Sequence, residues 1–100
     1  MPVKLSLNEN SAIALISGEI DHHSARNMRE EIDEFVVANN PQSLVLDFKD
    51  VSFMDSSGIG LVMGRYKLVS ERNGELFVVN TSSHIRKVMK LAGLDKLAKL

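Results

Sequence analysis

The residues best placed to do chemistry are Asp55-Ser56-Ser57-Gly58-Ile59-Gly60. They follow a strongly apolar strand pattern and precede a helical one, so they belong at the carboxyl edge of a sheet. Open α/β sheets place ligand and partner sites at that edge. Small polar residues and two glycines there imply an exposed, tight backbone with free helical N–H groups. A serine in that setting can be modified by another enzyme. Phosphoserine adds about −1.5 to −2 charges at neutral pH. At a helix start that charge meets the positive end of the dipole and unpaired N–H donors. Phosphorylation of Ser56 is therefore compatible with the fold, and its effect should fall on whatever docks over the loop. The plain alternative is a capping sequence whose glycines serve packing.

Enzyme readings of the same stretch fail on spacing. Gly58, Gly60 and Gly64 form a Gly-x-Gly-x-x-x-Gly run. A dinucleotide fingerprint follows its strand at once and leaves an acid about twenty residues on. Here Lys49 to Asp55 intervene, and the downstream pattern is wrong. Neither a Gly-Lys-Ser/Thr phosphate loop nor a Gly-x-Ser-x-Gly elbow is present. No general base stands at a recognisable spacing from Ser56. His22 and His23 are adjacent, so on a helix they point about 100° apart and cannot chelate one ion together. His84, near a helix start, reads as a surface residue. Asp47 ends an interior strand, as an aspartyl-phosphate acceptor does. The acidic pair and the lysine that such a site needs are not visible. The expectation is a chain with no catalytic residue, no metal and no cofactor.

The elements that must position Ser56 follow from periodicity. Val3 to Leu7 alternates as a half-exposed strand, Asn8 to Ser11 turns, and Ala12 to Ser17 is a second strand ended by Gly18. These two predict an antiparallel hairpin. Ala25, Met28, Ile32, Phe35 and Val36 share one helical face, which predicts a helix over about 22–38 with Asp21 as N-cap. Asn39-Asn40-Pro41 stops it. Leu44 to Phe48 is nearly continuous apolar, as in a parallel strand covered on both faces. Lys49 to Asp55 reads as irregular, with Val51, Phe53 and Met54 available to pack. A second helix runs over about 57–72, bearing Ile59, Val62, Met63, Tyr66 and Val69, and Gly74 is its expected left-handed cap. Leu76 to Val79 is another strand. Thr81-Ser82-Ser83 supplies hydroxyl caps for a third helix with Ile85, Val88, Met89 and Ala92 buried, ended by Gly93. Leu94 to Leu100 is a short strand or a helical turn. Alternating β and α predicts one α/β domain over residues 1–100. Its sheet has 4–5 strands, mostly parallel, with right-handed crossovers and an antiparallel first strand.

Composition is consistent with that class. At 100 residues, 44% hydrophobic and 25% charged, the chain is an ordinary globular sequence. It has no cysteine, no apolar run of membrane-spanning length and no signal peptide pattern, so a cytoplasmic address is expected. Residues 1–50 carry nine acids and four bases, whereas residues 51–100 carry four acids and eight bases. Nothing aromatic is interleaved with the late bases, and no helix-turn-helix frames them, so direct nucleic-acid binding is not expected.

Three stretches together resemble one family. They are Gly18-Glu19-Ile20-Asp21-His22-His23, then Leu44 to Phe48 with Val51-Ser52-Phe53-Met54-Asp55-Ser56-Ser57-Gly58-Ile59-Gly60, and Gly64-Arg65-Tyr66-Lys67. The chain resembles STAS-domain anti-sigma factor antagonists, most closely their sporulation sigma-F branch, over about residues 3–97. The resemblance implies a right-handed β/α superhelix and a partner switch rather than an enzyme. The unphosphorylated antagonist binds an anti-sigma factor that is also a serine kinase of the histidine-kinase-like ATPase type, which frees the sigma factor. Phosphorylation inactivates the antagonist, and a metal-dependent PPM-type serine phosphatase restores it. By the same resemblance Ser56 is the acceptor. Asp21, His22, Asp55, Ser57, Gly58 and Gly60 lie at the docking surface. No membrane partner is implied. Relatives in that branch carry a further C-terminal helix, past the point where this sequence stops at Leu100. The alternative is a stand-alone STAS module serving a transporter or signalling scaffold.

Overall fold

Period-2 burial along the strands builds the sheet. Ala12, Ala14 and Ile16, then Leu44, Leu46 and Phe48, then Leu76 and Val78 are all buried, each two residues from the next. In the computed structural model, which describes residues 2–100, these positions fall in β2 (Ser11–Ile20), β3 (Ser43–Met54) and β4 (Glu75–Val79). Strand β1 (Val3–Asn8) adds Val3 to the same face. The sheet order is β1-β2-β3-β4. The β1–β2 pair is antiparallel, and the other two pairs are parallel. This is the mixed α/β sheet expected from the sequence.

All three helices pack on that one face. Helix α1 (Ala25–Asn39) buries Met28, Ile32 and Val36, α2 (Ser56–Glu71) buries Leu61, Val62 and Val69, and α3 (Ser83–Leu91) buries Ile85 and Met89. These residues and the inward strand positions form one continuous core. Ile13, Leu15, Val45, Phe77 and Val79 point the other way and are only half-buried. The expectation that β3 is covered on both faces is thereby corrected. Its apolar run is continuous because flanking strands shelter it at the sides, not because helices sit on both faces.

Beyond this four-stranded half, β2 and β3 continue alone. Strand β1 reaches only Ile16 of β2, and β4 reaches only Asp47 of β3. From Ser17 to Ile20 and from Asp50 to Met54 the two strands form a ribbon. Two corrections follow. Gly18 does not end β2; it takes φ +84, open to glycine without a side-chain clash, and the strand runs on to Ile20. Lys49 to Met54 is strand rather than irregular. The register slips between Leu15 and Ser17, and again between Gly18 and Glu19, so β3 carries one extra residue at each place. Such bulges break the alternation by which a strand is recognised. Asp47 serves the first of them. Its Oδ1 accepts Lys49 N–H at 3.0 Å and Asn80 Nδ2 at 3.0 Å, tying β3 to the end of β4.

The helix ends mostly follow expectation. Ser82 Oγ accepts Ile85 N–H at 3.1 Å and caps α3. After α2 the left-handed residue is Asn73 (φ 61), not Gly74, since asparagine tolerates that region. The tail combines both expected forms. Leu94–Lys96 is a 3₁₀ turn, and Lys99 bridges in parallel to Phe77. Among the described residues no helix is long and apolar enough to cross a membrane.

Candidate functional site

The two segments that carry the singled-out residues leave the ribbon side by side. Ile20 pairs with Met54, and Asp55 N–H donates to Ile20 O at 3.1 Å. Asp21 and Asp55 are therefore the first residues past one shared strand end. Each closes the turn that follows it.

Asp21 folds its carboxylate over its own turn. Oδ1 accepts His23 N–H and Ser24 N–H, both at 2.9 Å. Ser24 Oγ accepts Asp21 N–H at 3.1 Å and donates to Glu19 O at 2.7 Å. Helix α1 proper starts at Ala25 with Ser24 at the N-cap, which corrects both the start near residue 22 and the simple cap at Asp21. A polar turn precedes the helix, and Asp21 O accepts Ala25 N–H at 2.8 Å to join them. The Ser24 N–H, with help from His23, holds the Asp21 carboxyl below its ordinary value.

Asp55 is an extended N-cap whose Oδ1 accepts Ser57 N–H at 2.8 Å. Helix α2 starts at Ser56, one residue earlier than expected, and Ser56 is exposed. Ser57 is half-buried and Gly58 buried. A Cβ at Gly58 would run into the Met54 side chain, so the missing side chain lets α2 lie against the ribbon. Gly58 thus shapes the surface from beneath. Ser56, Gly60, Met63 and Lys67 follow helical spacing and are all exposed. Met63 is 47% exposed and Phe53, at the ribbon end, 51%. Sequence reasoning placed both among packing residues. The spacing of Met63 from Ser56 and Gly60 was the available signal.

A groove of about 360 Å³ separates α1 from α2, lined by His22, Arg26, Arg29, Ser57, Gly60 and Arg65 among others. At its side Arg65, from α2, meets Asp33, from α1, with Nε 2.8 Å from Oδ1. Burial raises the Asp33 carboxyl above its ordinary value, and Arg65 only partly counters it. Sequence spacing could not reveal this pair, because it joins two helices across the fold. The His22 and His23 rings lie 4.0 Å apart, tilted by 38°. The fold therefore brings Asp21, His22, Asp55, Ser56, Ser57 and Gly60 to one end of the molecule. His84 is exposed at the start of α3.

Residues 4–100 match the STAS domain family. An anti-sigma F factor antagonist of Paenibacillus polymyxa is 32% identical over 97 residues, which cover 97% of this chain and 83% of that protein. An anti-sigma-B factor antagonist of Bacillus subtilis strain 168 is 36% identical over 95 residues, covering 95% and 85%. The anti-sigma factor antagonist SpoIIAA has been solved in two forms. Its unphosphorylated form superimposes with a TM-score of 0.83 at 30% identity, over 96% of this chain and 84% of that one. The phosphorylated Bacillus form gives 0.77 at 30% identity, over 96% and 87%. The fold, the residues at its ribbon tip and these likenesses agree, and the chain belongs to the STAS domain family.

Proposed function

We propose that this chain is an anti-sigma factor antagonist that works by partner switching. Its unmodified form binds a cytoplasmic anti-sigma factor with serine kinase activity, of the histidine-kinase-like ATPase fold, and so releases a sigma factor. The kinase inactivates it by phosphorylating Ser56, and a PPM-type serine phosphatase reverses that step. The chain itself catalyses nothing in this scheme and touches neither nucleic acid nor membrane.

The observation that carries the reading is the placement of Ser56. It is exposed on the first residue of α2, after the Asp55 cap and beside the Asp21 turn. A phosphate there gains only about 0.3–1 kcal/mol from the helix dipole, and Asp55 next door opposes it. The fold should barely register the modification. A docked partner would register it strongly, because the phosphate must be desolvated at the interface or meet an acid there, and like-charge contact costs several kcal/mol. Support also comes from SpoIIAA, solved unphosphorylated and phosphorylated, since both forms share this fold. Asp21, His22, Asp55, Ser57 and Gly60 surround Ser56 as the contact surface, with Gly58 beneath.

Incubation with the cognate kinase and ATP, followed by fragment-ion mapping, tests the acceptor. One phosphate should appear on Ser56, Ser56→Ala should abolish it, and Ser57→Ala should leave labelling possible. A phosphate mapped to Ser57 overturns the assignment.

A further inference from the structure

The groove between α1 and α2 is lined by an arginine whose guanidinium is incompletely paired. Arg65 is 5% exposed, yet its Nη1 is buried without a hydrogen-bond acceptor. Its Nε lies 2.8 Å from Asp33 Oδ1, but the two are not aligned for a hydrogen bond, and neither has another partner. A buried guanidinium in that condition is costly. Burial pushes its pKa down, and Asp33 offsets only part of that.

The rest of the lining carries more positive than negative charge. Arg29 is exposed on the α1 side and adds a second cation close enough to act on both Arg65 and Asp33. Arg26 is there too, paired with Glu30 at 3.2 Å. His22 completes the α1 side. The acids in reach are Asp33 and Glu30, while Asp21 and Asp55 are occupied by their own turns. From the α2 side come Ser57, in the first helical turn, and Gly60, where a Cβ would meet nothing within 4 Å.

We propose that this groove binds a phosphate dianion, as inorganic phosphate or a small phosphomonoester. The edge of the Arg65 guanidinium that lines the groove and the Arg29 guanidinium are its principal donors, and Ser57 stands at the helix start beside it. Guanidinium forks match phosphate oxygens in geometry and charge. The 360 Å³ of space leaves room for a small organic group on the phosphate. This site does not depend on the partner-switching reading, because it can be tested on the isolated chain with no kinase present.

The test is an NMR titration with sodium phosphate, read at the backbone N–H signals of Ser57 and Gly60 and at the Arg65 side-chain Nε–H. Sodium chloride at matched ionic strength is the control. Saturable shifts at those three positions, absent with chloride, are expected. Arg29→Gln, at an exposed position, should weaken binding by roughly tenfold or more, as for loss of a charged hydrogen bond. Gly60→Leu should fill the groove and remove binding. A parallel titration with glycerol phosphate separates the sources. Binding as tight or tighter assigns the groove to a phosphomonoester, and weaker binding assigns it to free phosphate. Shifts that do not saturate, that chloride reproduces, or that survive both substitutions unchanged overturn the proposal.

Discussion

Up to Asp47 the sheet is four strands wide, whereas beyond it only β2 and β3 continue. In the wide half, alternate residues such as Ala14, Leu46 and Val78 are fully inside. In the ribbon, Gly18, Glu19, Ser52 and Phe53 are exposed. Apolar burial holds the wide half in place. At the tip Ile20 still reaches the core, and short polar closures do the rest: Asp21 over His23 and Ser24, Asp55 over Ser57, and the Asp55-to-Ile20 bond between them. Such a division lets the tip change charge while the core stays as it is. It also separates the residues that set stability from those proposed to set affinity.

Substitutions on the two sides of that division should differ in kind. The largest effect belongs to the core. Leu46→Ala should lower unfolding free energy by about 2–5 kcal/mol in urea denaturation. The folded fraction should still bind the anti-sigma kinase as before. At the tip, Asp21→Asn keeps an oxygen for the two N–H donors but removes the charge, and asparagine closes such turns as aspartate does. Stability should therefore move by less than about 0.5 kcal/mol. Affinity for the kinase should fall by about 1.5–3 kcal/mol if a basic group on the partner meets this charge. That loss should shrink as salt rises. Calorimetric titrations at two salt concentrations would read both quantities, and an unchanged affinity would leave Asp21 as a turn residue only.

Smaller effects sharpen the same contrast. Asp55→Ala should cost about 0.5–2 kcal/mol of stability through the lost α2 cap, seen in thermal melts. Acid titration followed by carboxyl NMR should find Asp21 losing its charge below the ordinary aspartate value and Asp33 above it. The signs of the linkage then oppose each other. Asp21, with its folded pKa depressed, contributes stability above the unfolded value that is lost as pH falls through the folded one. Asp33, with its folded pKa raised, favours the fold below the unfolded value and loses that contribution as pH rises through the folded one.

The wide half was legible in the sequence because its forces leave periodic marks. Met28, Ile32 and Val36 recur at helical spacing, and Leu44, Leu46 and Phe48 alternate. The ribbon was less legible for the opposite reason. Two extra residues in β3 break the alternation, so Lys49 to Met54 looked irregular although most of it stays paired. The polar turn from Asp21 to Ser24 looked like a helix start because both use an acid to gather N–H donors. Ser56, Asp55 and Asp21 were singled out because polar and small residues stood after apolar strands. Phe53 and Met63 were not, since an exposed apolar side chain has the same letter as a buried one. The Arg65–Asp33 contact depends on how two helices cross, which no local pattern encodes.

The central claim is that charge on Ser56 switches binding without disturbing the fold. Its most direct test is a calorimetric titration of the anti-sigma kinase with unmodified and with Ser56-phosphorylated protein, each checked for its melting temperature. A melting temperature that hardly moves, together with an affinity lower by several kcal/mol, is predicted. Equal affinity of the two forms, or a phosphorylated form that melts many degrees lower, would contradict it.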